Sequence, residues 1–236
     1  MSSDAAYVPV EAVSSSIGVD SATRGLLKES LAAQLREEIL TGGIAPGQKI
    51  IEGPWARQFK VAQVTVREAL NILIAEGFVT KGHGHSARVL KLSDTDIIDL
   101  YHVRGCLEGL AARLVVEQGL PVDDLEETLT RMREAAEIND VRNLLACVQR
   151  FHICLLEKPG NPFLRETGRR LVIPLYAFTL MRALTKKLNA GPWASQLANH
   201  RRIIDAIRMR DPSLAEQAVI HVTNLFLKSA LRVWAR

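Results

Sequence analysis

The sequence predicts a mainly α-helical protein, with an N-terminal winged helix-turn-helix followed by an all-α antiparallel helical bundle. Three observations predict this class. Apolar residues recur at three- and four-residue steps along most of the chain, which is the period of a helix with one buried face. A strand pattern appears only on the two sides of the glycine–histidine turn at 82–85. Proline and glycine signals separate the later helices, so that consecutive helices can run antiparallel.

Length and composition are those of a globular protein with one or two domains. The chain has 236 residues, of which 47% are hydrophobic and 24% are charged. Three cysteines without a CxxC pair argue against a disulfide scaffold. The N-terminus lacks the basic and apolar regions of a signal peptide, and the longest apolar run, at 171–181, is too short to span a bilayer. We therefore expect a soluble, cytoplasmic protein without a membrane partner.

Charge and patterning divide the chain into three segments. Residues 1–23 carry three acidic residues and no lysine or arginine, and we expect them to form a flexible tail. Residues 24–92 carry ten basic and six acidic residues, and this density of positive charge, higher than that of the following segment, is a mild indication of contact with phosphates. Residues 93–236 have the helical pattern throughout and are predicted to form a second domain.

The segment 24–92 has the pattern of a winged helix. A stripe of four apolar residues predicts a first helix at 26–41: Leu27, Leu31, Leu35 and Ile39. A short second helix is predicted to open at Pro54, and a third follows within 61–78. Strands at 78–80 and 87–90 then flank the glycine–histidine turn and form a two-stranded wing.

The stretch 61–78 is the helix that we predict to contact DNA. Its apolar residues share one stripe: Val66, Ala69, Leu70, Leu73 and Ile74. Gln63, Arg67 and Asn71 recur every four residues and therefore share the opposite, exposed face. Gln and Asn can pair with adenine, and Arg with guanine, through two hydrogen bonds each. Because any surface helix shows a polar face, this face alone does not identify a DNA-contacting helix, and the flanking motifs are needed.

Residues 31–89 resemble the winged-helix domain of the GntR superfamily. The Pro46-Gly47 turn, the run VREAL at 66–70 and the step EGFV at 76–79 stand where that family has them. The resemblance implies that double-stranded operator DNA is the partner and that the following residues contact it: Gln63, Val64, Thr65, Arg67, Asn71 and, at the wing tip, His83, Gly84 and His85.

The chain departs from the family pattern near the start of this helix. Relatives have Ser-Arg-Thr-Pro where this chain has Ala-Gln-Val-Thr at 62–65, so Gln63 replaces a base-contacting arginine. Gly53 replaces a basic residue that is common in the second helix. Arg67 is kept. We therefore expect Arg67 to contact a guanine or a phosphate, and Gln63 to favour adenine.

The second segment is predicted as six helices. Ser93 and Asp96 form a capping-box start for the first of them. Its predicted buried stripe consists of Leu100, Val103, Leu107, Leu110 and Leu114. Several small motifs resemble the FCD-type ligand-binding domain of the FadR-like branch of the GntR superfamily: Arg104 with Glu108, Phe151-His152, Gly160-Asn161-Pro162 and His200.

Three histidines lie on apolar stripes of three different predicted helices: His152, His200 and His221. A buried imidazole needs a partner, and one shared divalent metal such as zinc would satisfy all three. The resemblance implies such a site, but the aspartate that relatives have four residues before the first histidine is Val148 here. A metal site completed by water or a ligand carboxylate and a metal-free pocket that binds an anion directly both stay open. Arg104 is expected to pair either with a ligand carboxylate or with Glu108.

Together these features predict a ligand-responsive transcription regulator. The resemblance implies a homodimer on a palindromic operator, acting as a repressor, with a small organic or sugar acid as the effector. One alternative is a DNA-binding dimer without a metabolite effector. Another is a hydrolase that uses histidine-bound metal, but no acidic residue on the histidine stripes stands near His152 to act as a base, so we expect no enzyme.

Overall fold

The structure, a computed structural model, describes residues 21–81 and 86–234. The chain forms two compact units that divide between Lys91 and Leu92. Most of the predicted tail and the predicted DNA contacts His83, Gly84 and His85 lie outside the described residues. Among the described helices, none combines the length and apolar character that a membrane span needs.

The described part of the first unit consists of three helices and three short strands. In chain order these are α1 (Ser21–Thr41), β1 (Lys49–Ile50), α2 (Glu52–Gln58), α3 (Gln63–Ala75), β2 (Val79–Lys81) and β3 (Ala87–Val89). Strand β3 lies between the other two and is antiparallel to both. The sequence predicted both wing strands, but it missed β1 because a two-residue strand has no detectable period.

The core of the first unit lies between α1 and α3. The predicted stripes supply it, and these side chains are buried: Leu31, Leu35 and Ile39 from α1, and Val66, Ala69, Leu70 and Leu73 from α3. Helix α1 begins five residues earlier than predicted. It ends where Gly42 adopts a left-handed φ of 87°, which allows the chain to turn away from the helix. Packing on α1 therefore fixes which face α3 turns outward.

Within residues 92–234 the second unit contains seven helices. They are α4 (Asp94–Glu117), α5 (Asp123–Glu137), α6 (Val141–Glu157), α7 (Pro162–Thr185), α8 (Gly191–Ala194), α9 (Leu197–Arg208) and α10 (Pro212–Trp234). The region predicted as one helix from Pro192 forms two, the single turn α8 and then α9. The capping box is present, since Ser93 Oγ accepts from Asp96 N and Asp96 Oδ2 accepts from Ser93 N.

The predicted buried stripe of α4 was wrong. Val103 is 49% exposed and the four leucines of that stripe are only half-buried. A different face is buried, because α4 packs closely on α10 through two glycines. A Cβ at Gly109 would stand 3.2 Å from Glu216 O, and one at Gly105 would stand 3.6 Å from Thr223. This packing turns the side chains of Arg104 and Glu108 into the interior.

Candidate functional site

The exposed face of α3 carries the polar residues that the sequence predicts there. Gln63, Arg67 and Asn71 are exposed, and Val64, at the start of the helix, is half-exposed. Thr65 is different, since only 5% of it is exposed. It lies beside Val66 and one turn before Ala69, so the buried stripe is wide enough to include it. The prediction that Thr65 contacts DNA therefore has no support from its position.

Arg67 is held in place by Glu52 on α2. The guanidinium Nε and Nη2 donate to the two carboxylate oxygens at 3.0 and 2.8 Å, and these bonds lower the pKa of Glu52. The pair is bidentate, which fixes the direction of the guanidinium although Arg67 remains largely exposed. Glu52 thus ties the guanidinium of Arg67 to helix α2.

The second unit contains a buried cluster of charged and polar side chains from three helices. Arg104 and Glu108 of α4, His152 of α6 and His200 of α9 are each at most 2% exposed. Arg104 Nε donates to Glu108 Oε1 at 2.7 Å, and Arg104 Nη2 donates to His152 Nε2 at 2.8 Å. His152 Nδ1 donates to Glu108 Oε2 at 3.0 Å and closes the triangle. Each charge therefore has a partner, as burial requires.

Burial and mutual contacts set the charges of this cluster. Burial alone would raise the pKa of Glu108, but Arg104 and His152 outweigh it and hold that pKa to about 2. Burial opposes the charge of Arg104, yet Glu108 keeps its pKa above the usual value. The pKa of His152 is lowered by burial and by Arg104. At neutral pH the cluster therefore holds one cation, one anion and neutral imidazoles.

His200 cannot satisfy both of its ring nitrogens within this cluster. Its Nδ1 lies 3.0 Å from the Gln196 carbonyl oxygen, and its Nε2 lies 3.3 Å from His152 Nε2. Burial, His152 and Arg104 lower the pKa of His200 to about 3, so it is neutral and has a single N–H. If the carbonyl accepts that N–H, the Nε2 lone pair faces another acceptor and lacks a donor.

A pocket that is partly open to solvent lies beside this cluster. Its lining residues come from α4, α6, α7, the α8 region, α9 and α10: Tyr101, Val148, Tyr176, Thr179, Pro192, Trp193, Gln196, His200, Phe226, Ser229 and Ala230. The guanidinium carbon of Arg104 lies 5.0 Å from the ring centre of Tyr101 and 5.6 Å from that of Tyr176. Its Nη1 is buried and has no hydrogen-bond partner among the described residues. Arg104 thus packs against two aromatic rings of the pocket lining, and one of its donors has no partner among the described residues.

His221 does not join the other histidines. It is exposed, whereas these residues of α10 up to Leu231 are buried: Ala215, Val219, Val222, Thr223, Phe226 and Leu227. The sequence placed His221 on an apolar stripe with Leu214 and Leu225, but α10 turns a neighbouring stripe toward α4. The predicted inward position of His221 was therefore wrong.

The remaining side chains do not fit a metal ion. Val148 offers no ligand atom, the Nε2 of His152 accepts a hydrogen bond from Arg104, and Glu108 is engaged by Arg104 and His152. In residues 21–81 and 86–234, no group of three or more His, Cys, Asp or Glu side chains is arranged to hold a metal. A cationic guanidinium against an imidazole lone pair disfavours a second cation at the same place.

The sequence did not predict all of the cluster or of the pocket. Glu108 was predicted only as a partner of Arg104, because its contact with His152 spans 44 residues of sequence. Tyr101, Tyr176 and Phe226 were not predicted as pocket residues, because their rings resemble ordinary core residues. The glycine pair at 105 and 109 was the available signal, because two small residues one turn apart mark the face on which helices approach closely.

Two models of protein families match the chain. The FCD domain matches residues 99–224, and the gntR family of bacterial regulatory proteins matches residues 27–89. The chain belongs to the GntR family. It is a DNA-binding transcription regulator with an FCD ligand-binding domain, which confirms the predicted family and function class. The relatives named in the next paragraph are transcription regulators and not enzymes.

Named relatives of this GntR-family regulator include two operon repressors. The chain is 28% identical over 214 residues to a probable D-xylose utilization operon transcriptional repressor from Paenarthrobacter nicotinovorans, covering 89% of this chain and 92% of the relative. It is 26% identical to the gluconate operon transcriptional repressor of Bacillus subtilis, covering 80% and 79%. The solved structure of Escherichia coli McbR/YncC shares the fold, with a TM-score of 0.64 at 19% identity, covering 86% and 95%.

Replacing Glu108 by glutamine is expected to lower the free energy of unfolding of the GntR-family regulator by about 3–5 kcal/mol, because the charge of Arg104 would stay buried without its counter-ion. Chemical denaturation of the full chain measures this change. The control is Glu127→Gln, which breaks an exposed pair with Arg131 and should cost less than about 1 kcal/mol. Equal losses in the two variants would contradict the proposed role of the cluster.

Proposed function

We propose that this regulator is a homodimeric repressor whose operator binding responds to a small hydroxy acid or sugar acid in the pocket of the second unit. One observation carries the proposal. A permanently charged, buried arginine packs against aromatic rings that line the pocket, and its Nη1 donor has no hydrogen-bond partner among the described residues.

The chemistry of the wall favours a ligand with both an acceptor and a donor. A carboxylate oxygen would satisfy Arg104 Nη1, since an unpaired buried donor is costly. A ligand hydroxyl would satisfy the lone pair of His200 Nε2, which faces no donor within the cluster. Burial raises the pKa values of Tyr101 and Tyr176, so their hydroxyls also keep their protons. A hydroxy acid combines these groups, and the name of one relative refers to a gluconate operon.

In this proposal the ligand binds without a metal. The cation that attracts the carboxylate is Arg104, and the imidazoles of His152 and His200 act as neutral hydrogen-bonding groups. A bundle that served dimerisation alone would have no need of a charged side chain buried beside a pocket, because an apolar core of the same volume is at least as stable. This argument disfavours the alternative of a regulator without an effector.

At the DNA, we propose that Arg67 contacts a guanine or a phosphate and that Gln63 and Asn71 contact bases in the major groove, with Val64 beside them. Two copies would place two α3 helices on the halves of a palindromic operator in the cytoplasm. The half-buried leucine stripe of α4, with Val103 exposed, offers one apolar surface for the second copy. The contacts predicted for the wing tip stay predictions.

Replacing Ser229 by tryptophan is expected to abolish the response to acids, because Ser229 lines the pocket and the indole would fill it. The measurement is a thermal-shift screen of hydroxy acids and sugar acids on chelator-treated, full-length protein. A binding acid at 100 times its Kd stabilises the wild type by about 2.7 kcal/mol. Lys228→Trp inserts the same ring one residue away, on an exposed position, and should keep the full shift.

Two results of this screen would contradict the proposal. One is an equal shift in Ser229→Trp and the wild type, which would place the acid elsewhere. The other is a shift that chelation removes and added zinc restores, which would show that a metal binds the acid.

The preferred DNA sequence is expected to change when Gln63 is replaced by arginine, because arginine pairs with guanine where glutamine pairs with adenine. Selection of binding sites from random double-stranded DNA by the two proteins compares them directly. An unchanged preferred sequence would show that Gln63 does not contact a base.

A further inference from the structure

The two departures from the GntR pattern face each other in the structure. A Cβ placed on Gly53 of α2 would lie 3.5 Å from the side-chain Nε2 of Gln63 at the start of α3. The same Cβ would lie 3.7 Å from Nη1 of Arg57. The missing side chain at 53 therefore opens a small space, and the amide of Gln63 and the guanidinium of Arg57 border it from two sides.

The geometry of a helix explains how Arg57 reaches this space. Residues four apart lie on one face, and helical side chains lean toward the N-terminus, so a long side chain at 57 extends over position 53. Glycine at 53 presents no side chain to displace it. The positive charge that relatives carry at 53 is thus supplied in this chain from one turn further along α2.

Among the described residues, the guanidinium of Arg57 has no partner. Within the described part of the chain it donates no hydrogen bond and forms no ion pair, and Arg57 is exposed. Three other arginines of the first unit, whose side chains the structure describes, have acceptors. Arg36 pairs with Glu76 and Arg67 with Glu52, while Arg88 donates to the Gly47 carbonyl oxygen. A side chain that is placed beside Gln63 and left without a counter-ion suits an anion that arrives from outside.

We propose that Arg57 binds a phosphate of the operator next to the base that Gln63 contacts. Helix α2 is the first helix of the helix-turn-helix, and that helix crosses the DNA backbone, so its side chains meet phosphates and not base edges. The planar guanidinium matches a phosphate with two parallel hydrogen bonds. Gly53 contributes by leaving room for Arg57. This inference rests on DNA binding by α3.

The test is the affinity of the full-length protein for DNA that the wild type selects from a random pool, measured by fluorescence anisotropy over a range of salt concentrations. Arg57→Ala is expected to weaken binding about ten-fold, as for the loss of a hydrogen bond to a charged group. It should also reduce the dependence of log affinity on log salt by about one per protomer. Arg57→Lys should keep most of the salt dependence, because it keeps the charge.

The control is Arg131→Ala, which removes the same charge from an exposed position on α5 and should change neither quantity. Adding Gly53→Arg to the Arg57→Ala protein should restore affinity, since it returns a guanidinium to the same space. Because Arg57 is exposed, these variants should keep the circular dichroism spectrum of the wild type.

Three results would overturn the inference. Wild-type affinity and salt dependence of Arg57→Ala would show that Arg57 does not contact the DNA. A loss confined to operators that differ at one base pair would show base contact instead of phosphate contact. If Gly53→Arg does not restore the affinity of a folded Arg57→Ala protein, a guanidinium at position 53 does not replace that of Arg57. Arg67→Ala is measured in the same assay as a test of DNA binding by α3. If only Arg57→Ala has no effect, this inference fails. If Arg67→Ala also has no effect, the proposed DNA contact of α3 fails as well.

Discussion

The buried contact of Arg104 with Glu108 and His152 is the interaction on which the second unit depends. Burying a guanidinium and a carboxylate costs several kcal/mol per ion, and their attraction repays that cost only when hydrogen bonds satisfy both groups. Here Glu108 accepts one bond from Arg104 and one from His152, and α4 and α6 are thereby fixed to each other. The glycine-mediated approach of α4 to α10 is what brings these polar side chains inside. One donor of the arginine, Nη1, has no hydrogen-bond partner among the described residues.

The same cluster determines which ligands the pocket favours in our proposal. A fixed guanidinium attracts a carboxylate at every pH at which the ligand is ionised and without a metal, whereas neutral imidazoles serve as hydrogen-bonding groups of fixed tautomer. The lone pair of His200 Nε2 lacks a donor until a ligand supplies one. Recognition would therefore depend on the spacing of a carboxylate and a hydroxyl in the ligand, because the wall groups are rigidly held by their own contacts.

The sequence predicted the winged helix well because local patterns carry it. The stripe of Val66, Ala69 and Leu73 and the two wing strands each follow from residues close in the chain. The helical unit was harder. The leucines of α4 have the right period, but the face with Gly105 packs inside, because close approach to α10 decides the orientation. His221 is the neighbour in sequence of Val222, which belongs to the buried stripe of α10. A shift of one residue along a helix rotates the side chain by about 100°, so His221 points away from that stripe. The contact between Glu108 and His152 arises only from tertiary packing.

The central claim is that occupation of the pocket changes the affinity for DNA, and thermodynamic linkage tests it most directly. The measurement is a set of four dissociation constants for chelator-treated, full-length protein: selected DNA with and without a binding hydroxy acid, and the acid with and without the DNA. The account predicts that the acid changes the Kd for DNA by about ten-fold or more, and that the DNA changes the Kd for the acid by the same factor. An acid that binds in the pocket and leaves the Kd for DNA unchanged would contradict it.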